Sequence, residues 1–561
     1  MGDGTPQAGT AGRERGGGRG REGGGGHAGA GGGRGVVTLL LVAVAVHGAL
    51  AWLAREPGIL TGQDDAIYVA LARSIRQGGY EELFRVGTPP HAQYPPFYPA
   101  LIAVWGGVFG DGFDALTALN VLLSAASLVL VYVGLKRRVG ATVAVLTAAV
   151  LAVNPHLVGA AGAVLSEAPY IFLTVLALAV LSREKVGRRG ALAAGVLALT
   201  AALTRSAGVT ILAALVLYWW LEPRRRAAVA LGVAALVIVG GWLAWTVLAP
   251  EKYVGSSYVA DLGASRRVPF VAPFPQRIPG NIAWYLRVAV PWTLAVPTIR
   301  GTLVDNAMAL GILTVTGGAG LVVFARRWRA GLLYALAYGG LLASWVWLID
   351  RFVVPVLFLV VAAMLAGAHA IGSRLGRGRW AGVTFAGALA AVLLVSGAAQ
   401  SLRLVSERAG CHRAVDGIPE GPCLLADQAS FFEAARWIRA HTQPDAVVLA
   451  AKAASLWYHT GRLTAGYRAS LDQDAGGFLP YLREQGADYI LLGSLHLYEP
   501  RALLDRVEAN CARLTVAGFF PPRTWLFSLE PPTSAGEADE SCRAAAEYRE
   551  RNRNRDFERN P

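Results

Sequence analysis

The sequence predicts a polytopic α-helical membrane protein with a C-terminal extracytoplasmic α/β domain. Hydrophobic residues make up 54% of the 561-residue chain, and charged residues only 16%. Apolar runs recur from Val36 to Ser396, and more polar sequence with alternating short helix and strand patterns follows. Apolar runs at this density are typical of membrane spans rather than of a soluble core.

The first 35 residues are rich in Gly and Arg and contain few apolar side chains. Such a segment cannot bury a core, so we expect a disordered cytoplasmic tail. The apolar run 36–54 is long for a signal peptide, and many spans come after it. This favours a retained signal-anchor over cleavage near Ala49.

Eleven apolar runs predict transmembrane helices in a domain that covers residues 36–398, with twelve or thirteen helices as the alternative count. Several runs are shorter than the ~20 residues of a straight crossing, so their ends are approximate. The runs are 36–54, 115–135, 141–157, 168–182, 190–203, 208–221, 227–248, 304–324, 331–349, 352–371 and 380–398.

Basic clusters between these runs predict the orientation, because Lys and Arg concentrate in cytoplasmic loops. All of them fall inside if the proline-containing run 95–110 is interfacial or re-entrant rather than a span. The N-terminus is then cytoplasmic, and the outer loops include 55–114 and 250–303. The net charge of +14 is explained by these loops and does not indicate nucleic-acid binding. The clusters lie at 136–138, 183–189, 224–226, 326–329 and 374–379.

Residues 399–535 alternate helix and strand patterns, which predicts an α/β domain on the outer side. We expect helices at 431–441, 453–459, 478–485 and 502–509, and strands at 446–450 and 489–493. The charged residues 536–561 are expected to form a flexible tail.

All four cysteines lie in this C-terminal region, and an even number on an oxidising side suggests two disulfides. Three pairings are possible, of which we favour Cys411–Cys423 with Cys511–Cys542. A zinc site would need closer spacing and a suitably placed histidine.

The stretch 61–101 is the candidate active site. It opens with Asp64 and Asp65, continues into a run (66–77) that predicts an amphipathic helix at the membrane surface, and returns through the Pro- and aromatic-rich segment 94–99. Two acids after a span are often merely solvated. Here the amphipathic helix and the Pro-rich return would hold them at the interface, where a carboxylate can accept the proton of an acceptor hydroxyl.

Other ionisable residues interrupt apolar sequence at Glu167, Arg205 and Arg351. A glutamate that starts a helix is commonly a dipole partner, and Asp350 could simply neutralise Arg351. Ionisable groups at membrane depth are nevertheless costly and usually functional. Two arginines that face a common cavity would suit a lipid phosphate.

His91 and Tyr94 lie beside the Pro-Pro pair and could also donate hydrogen bonds to such a phosphate, although a loop histidine is more often a bystander. The sequence contains no P-loop, no GxGxxG after a strand, no HExxH and no GxSxG. Nucleotide-driven and common hydrolytic mechanisms therefore lose support, and the energy of the reaction must arrive with the substrate.

The order of these motifs resembles that of the integral-membrane glycosyltransferases of the GT-C fold. The similarity is greatest to the branch of the dolichyl-phosphate-mannose protein mannosyltransferases and the lipid A aminoarabinose transferase. The motifs that carry the resemblance are Asp64–Tyr68, Tyr94-Pro95-Pro96, Ser166-Glu167, Leu203–Arg205 and Asp350–Pro355.

The resemblance implies inverting transfer of a single sugar, hexose or pentose, from a polyprenyl-phosphate donor at the outer face of the cytoplasmic membrane. The acceptor would be a hydroxyl or amine of a lipid, glycan or protein. The first loop carboxylate of the family maps onto Asp64 as the base. Asp65 stands where the family usually has Glu, and its side chain is one methylene shorter. Asp65 and Glu167 are the further catalytic candidates, and Tyr68 is a candidate contact to the substrate or its lipid phosphate.

Tyr94 stands where characterised members have Lys or His, which puts more weight on Arg205 and Arg351 for the departing phosphate. A divalent cation, Mg²⁺ or Mn²⁺, at Asp64 and Asp65 is left open, because this branch can do without one and the related oligosaccharyltransferases use one.

Two other classes compete with this interpretation. A transporter or lipid flippase would also have many spans and a few buried charges. Here the charges lie in outer loops rather than at mid-span, and no inverted repeat is seen. A scaffold of an envelope-assembly complex is the third hypothesis, and Asp64 would then be expendable.

Overall fold

The computed structural model describes residues 28–59, 64–183, 186–248, 274–296, 307–376, 378–411, 414–415, 418–419, 423–493, 495 and 501–558. Most of the expected N-terminal tail and parts of the loop 250–303 lie outside these ranges. The first helix begins at Ala28, inside the segment expected to be disordered.

In the described ranges before residue 409, all regular secondary structure is helical. The helices are α1 (Ala28–Leu53), α2 (Asp64–Arg76), α3 (Phe97–Phe109), α4 (Phe113–Lys136), α5 (Ala141–Ala152), α6 (Pro155–Ala161), α7 (Glu167–Leu181), α8 (Arg188–Thr204), α9 (Val209–Leu221), α10 (Arg225–Leu248), α11 (Arg277–Trp284), α12 (Val290–Thr293), α13 (Ala307–Arg327), α14 (Arg329–Ser344), α15 (Leu357–Leu375) and α16 (Arg379–Arg408). A π-helical turn joins α11 to α12.

Each of the eleven apolar runs coincides with a helix or with a pair of helices. Among the described residues, six helices are long and apolar enough to cross a membrane, and a seventh span results if the bent pair α5 and α6 is counted together. The protein is thus a multi-pass membrane protein by the length and composition of its helices. The count of eleven spans and the orientation stay predictions.

The helices α13 and α15 approach each other closely because glycines face the contact. A Cβ atom on Gly320 would lie 1.9 Å from the carbonyl oxygen of Ala363, and one on Gly367 would lie 1.9 Å from that of Thr316. Small residues let helix backbones approach in this way inside a membrane. The contact helps to fix α15, which follows directly on the 3₁₀ segment that carries Arg351.

The C-terminal region forms a five-stranded mixed sheet with the order β4-β3-β5-β7-β6. The strand β3 pairs parallel with β4 and β5, while β7 pairs antiparallel with β5 and β6. Its strands are β3 (Val447–Ala450), β4 (Leu463–Thr464), β5 (Ala487–Leu492), β6 (Thr515–Phe520) and β7 (Thr524–Ser528), after a two-stranded ladder of β1 (Ala414–Val415) and β2 (Ile418–Pro419).

Alternate strand residues enter two separate cores, one on each face of this sheet. Val447 and Leu449 pack on one face, and Val448 and Ala450 on the other. The helices around it are α17 (Ala426–His441), α18 (Ala453–Thr460), α19 (Tyr467–Asp472), α20 (Ala475–Glu484), α21 (Arg501–Ala509) and α22 (Ala535–Glu558).

The predicted helices and strands of this region all occur, with shifted ends. The sequence analysis missed α19, α22 and the strands β1, β2, β4, β6 and β7, and α22 lies where a flexible tail was expected. The disulfides are Cys411–Cys423 and Cys511–Cys542, the pairing favoured from sequence. The second disulfide and the buried Tyr548 attach α22 to the sheet, although its sequence is strongly charged.

We predict that Gly320→Ala lowers the apparent melting temperature of the detergent-solubilised protein. The added methyl group would overlap the backbone of α15, and overpacking of this kind destabilises by ~1–3 kcal/mol. Gly317→Ala on the same helix is the matched control, because its Cβ atom would meet nothing within 4 Å. Equal melting temperatures for the two variants would contradict this helix contact.

Candidate active site

The helix α2 places Asp64 at its first turn and is buried along most of its length. Residues 65–72 are all buried, whereas the sequence pattern predicted an amphipathic helix at the membrane surface. The expectation of a solvent-facing side of α2 is wrong. The helix α3 packs against α2, and α18, a helix of the C-terminal region, covers α2 as well. Two rings of α18, Trp457 and Tyr458, also lie against the guanidinium of Arg73.

Asp64 belongs to a continuous network of charged side chains. Its Oδ2 atom lies 2.7 Å from Nη2 of Arg351. The Nε atom of Arg351 lies 2.9 Å from Oε1 of Glu167. That same oxygen lies 2.8 Å from Nη1 of Arg205. Two carboxylates and two guanidiniums therefore alternate, so their charges balance inside the protein.

Each member of the network stands where a helix begins, ends or changes type. Glu167 is the first residue of α7, and Arg205 is the extended residue after α8. Arg351 lies in the 3₁₀ segment Asp350–Val356, which contains Pro355. The carboxylate of Asp350 accepts a hydrogen bond from the backbone amide of Arg351, while the guanidinium reaches Asp64 and Glu167 instead.

Hydroxyl groups extend the network on both sides. Tyr94 donates a 2.8 Å hydrogen bond to Oδ1 of Asp64. The hydroxyl of Ser166 accepts a hydrogen bond from Arg205 and lies 3.0 Å from the hydroxyl of Tyr68. The ring of Tyr68 packs against the rings of Tyr94 and Tyr98. Both oxygens of Asp64 are thus oriented by neighbours from other parts of the chain.

These neighbours set the charge state of Asp64. Burial raises the pKa of its carboxyl, but the Arg351 guanidinium, with help from the Tyr94 hydroxyl, outweighs burial and holds the pKa below its ordinary value. Asp64 therefore stays ionised at neutral pH. Its side chain keeps 29% exposure, so the carboxylate is not sealed inside the protein.

The structure does not bring His91 to the same place. Its Nδ1 atom lies 2.8 Å from a carboxylate oxygen of Glu82, and its Nε2 atom accepts the backbone amide of Tyr94. Both ring nitrogens are thus used inside the loop. Asp65 is fully buried, and its Oδ1 atom accepts the amide of Ala66.

A cavity of about 780 Å³ opens beside Arg351. Arg205 is not among its lining residues, so only one of the two arginines predicted to share a cavity reaches it. The polar lining comes mainly from the segment after α1, from α6 and from the end of α16: Glu56, His156, Gln400, Arg403, Glu407 and Arg408.

The sequence analysis missed Glu56, although an acidic residue directly after the first span was a possible signal. Burial raises the pKa of Glu56 to about 8, Arg408 opposes this shift, and Asp65 adds to it. Glu56 is therefore mostly protonated at neutral pH, and it can donate a hydrogen bond into the cavity.

The pair Asp64 and Asp65, considered above for Mg²⁺ or Mn²⁺, does not fit a metal site. Asp64 is engaged by Arg351 and Tyr94, and hard divalent cations take about six oxygen ligands. Across the described ranges, no group of three or more His, Cys, Asp and Glu side chains is arranged to hold a metal ion.

No protein-family model and no curated protein sequence matches this chain. Solved structures do match. ArnT from Cupriavidus metallidurans in the apo state aligns with a TM-score of 0.54 at 16% identity, over 90% of this chain and 100% of that chain. The oligosaccharyltransferase of Archaeoglobus fulgidus tethered to an acceptor peptide aligns with a TM-score of 0.53 at 14% identity, over 89% and 75%.

A second ArnT structure, bound to undecaprenyl phosphate, aligns with a TM-score of 0.52 at 16% identity, over 89% of this chain and 99% of that chain. The fold is therefore that of the GT-C glycosyltransferases, as the order of the motifs predicted. The identities are too low to carry an activity with the fold.

We predict that Glu56→Gln stabilises the protein at alkaline pH relative to wild type. The folded state holds a proton on Glu56 up to about pH 8, whereas the unfolded chain releases it near the ordinary value of 4.5. Between about pH 4.5 and pH 8, the free energy of unfolding of the wild type should therefore decrease relative to that of Glu56→Gln. Above pH 8 the difference between the two proteins should become constant. Melting temperatures at several pH values measure this.

Glu407→Gln serves as the control, because Glu407 also lines the cavity but has 55% of its side chain exposed. A difference in melting temperature between wild type and Glu56→Gln that stays constant over this pH range would show that Glu56 is not held protonated.

Proposed function

We propose that the protein transfers a single sugar, hexose or pentose, from a polyprenyl-phosphate-linked donor to an acceptor, with inversion at the anomeric carbon. The observation that carries this proposal is the ion pair of the ionised Asp64 with Arg351, whose side chain lines the cavity. Neighbours in fold include an ArnT bound to undecaprenyl phosphate and an oligosaccharyltransferase in complex with an inhibitory peptide and a dolichol-phosphate. Both support a lipid-phosphate donor here.

Asp64 would act as the base. It takes the proton of the acceptor hydroxyl or amine while the acceptor atom forms its bond to the anomeric carbon. The bond from that carbon to the phosphate oxygen breaks at the same time, and its electron pair leaves with the polyprenyl phosphate. A single displacement of this kind inverts the configuration. Proton transfer to a positioned carboxylate contributes ~10²–10⁴ in rate.

Arg351 would stabilise the departing phosphate, since it lines the cavity and keeps 32% of its side chain exposed. Its planar donors suit phosphate oxygens, and charge stabilisation is what such a leaving group needs most. Arg205 is more deeply buried, with only 14% of its side chain exposed, and it pairs with Glu167. We assign Arg205 and Glu167 to holding Arg351 rather than to direct contact with the phosphate.

The proposed setting is the outer face of the cytoplasmic membrane. The N-terminus would be cytoplasmic, and the α/β region 399–535 would cover the outer face. The cavity has apolar walls beside several charged side chains, which suits an amphiphilic substrate. The acceptor would be a lipid, a glycan or a protein.

We predict that Asp64→Asn lowers sugar transfer by ~10²–10⁴, because the amide keeps the shape of the side chain but cannot take the proton. Transfer is measured from labelled polyprenyl-phosphate sugars in membranes that contain equal amounts of each variant. Asp114→Asn is the matched control. Asp114, in the first turn of α4, pairs with Arg55 but is 64% exposed and lies outside the network. We therefore expect Asp114→Asn to transfer sugar at the wild-type rate.

Transfer by Asp64→Asn at the wild-type rate would sink the assignment of the base. No transfer by the wild type from any donor, together with lipid movement that does not need Asp64, would favour the transporter or flippase hypothesis. Loss of both activities with intact assembly of partner proteins would favour a scaffold.

A further inference from the structure

The loop segment 80–94, between α2 and α3, folds back on itself. Glu81 and Pro90 form an isolated antiparallel bridge. The amide of Glu82 donates to the carbonyl of Pro89 at 2.8 Å, and the amide of His91 donates to that of Tyr80 at 2.9 Å. These hydrogen bonds hold the two ends of the segment together. A contact that fixes the tip of the segment therefore also restricts the position of Tyr94.

The tip of the segment is attached to the edge of the C-terminal sheet. The carbonyl of Phe84 accepts hydrogen bonds from the amide of Thr464 at 2.9 Å and from its Oγ1 atom at 2.7 Å. The amide of Val86 donates to the carbonyl of Thr464 at 3.1 Å. Arg85 forms a parallel bridge with Thr464, so the loop continues the sheet beyond β4.

Inside the segment, side chains connect this edge to Asp64. Arg85 pairs with Glu82 at 2.9 Å, and Glu82 pairs with His91 at 2.8 Å. The Nε2 atom of His91 accepts the backbone amide of Tyr94 at 2.8 Å. The hydroxyl of Tyr94 then donates to Asp64. His91 is 1% exposed and Glu82 is 7% exposed, so the path is shielded from water.

We propose that the edge of the C-terminal sheet positions the base through this path, with Thr464 and His91 as positioning residues that hold the Tyr94 hydroxyl on Asp64. The proposal rests on the proposed function, because it assigns these residues a role in sugar transfer. It also explains why both nitrogens of His91 are used internally. A hydrogen bond to the Tyr94 backbone fixes where its ring and hydroxyl lie.

The first test is a double-mutant cycle on kcat with His91→Ala, Tyr94→Phe and the combined variant. Misplacing a reacting group by about 1 Å can cost ~10² in rate, so we expect each single substitution to lower kcat by ~10–100-fold with little change in the KM for the donor. If His91 acts through the Tyr94 hydroxyl, the combined variant should be no slower than Tyr94→Phe alone.

A merely structural role predicts a different result. His91→Ala would then lower kcat by the same factor in the Tyr94→Phe background, and such additivity would overturn the proposal. His91→Gln can both donate to Glu82 and accept from Tyr94. It should recover part of the lost kcat, and it provides a second variant if His91→Ala does not fold.

The second test needs no substrate. Hydrogen exchange of the amides of Val86, His91 and Tyr94 is compared between Thr464→Val and Thr515→Val. Thr515 lies in β6, at the opposite edge of the sheet, where its hydroxyl also donates to a backbone carbonyl. Faster exchange in Thr464→Val alone supports the attachment. Unchanged exchange in Thr464→Val would overturn it.

The two tests separate the proposals. A wild-type protein that transfers no sugar would contradict the proposed function, while the exchange result would still decide whether the sheet holds the loop segment. Normal transfer with additive substitutions would contradict the positioning role and leave the proposed function intact.

Discussion

The ion pairs of Glu167 are the interaction on which the rest of the site depends. Glu167 has no exposed surface, and it lies between the guanidiniums of Arg205 and Arg351. A buried carboxylate is tolerated only when it is paired, and removal of one partner of a buried pair typically costs ~3–5 kcal/mol. Three separate chain segments are therefore fixed to one another: the start of α7, the residue after α8 and the 3₁₀ segment that precedes α15.

This arrangement gives the network two layers with different roles. Glu167 and Arg205 form the inner layer, which is more deeply buried and contacts Arg351 through the Glu167 carboxylate. Arg351 and Asp64 form the outer layer, since both keep about a third of their side-chain surface exposed. The proposed reaction would take place at the exposed layer, while the buried layer would hold it in position. A cation held in this way changes position little when a phosphate approaches.

The C-terminal sheet is part of the same construction rather than an appended domain. Its helix α18 covers α2, its edge pairs with residues 84–86, and His459 lies 3.3 Å from the carbonyl of Ile59, just before the site. The loop that carries Tyr94 thus contacts the C-terminal sheet through residues 84–86 and α2 through Tyr94. This burial would suit the proposed role of Asp64 as a base, because its neighbours would stay in place as substrates bind and leave.

The sequence was sufficient to locate most helices of the membrane region and to single out the charged side chains that the structure brings together, while the number of spans stays a prediction. Apolar runs are long and continuous, and Asp64, Glu167, Arg205 and Arg351 stand out because charge is costly there. The hydrogen bonds of His91 and the burial of α2 could not be predicted, because both depend on how the loop 80–94 and α18 fold against their surroundings. Glu56 was missed for the same reason, as a cavity between helices leaves no periodic signal.

The most direct measurement is a cryo-electron microscopy structure of the protein in lipid nanodiscs with added undecaprenyl phosphate. Our account predicts phosphate density in the cavity that Arg351 lines, within hydrogen-bond distance of its guanidinium, at about 2.7–2.9 Å from the nitrogens. The ion pairs of Glu167 with Arg205 and Arg351 should persist. Phosphate density elsewhere, with Arg351 still enclosed by the two carboxylates, would contradict the central claim.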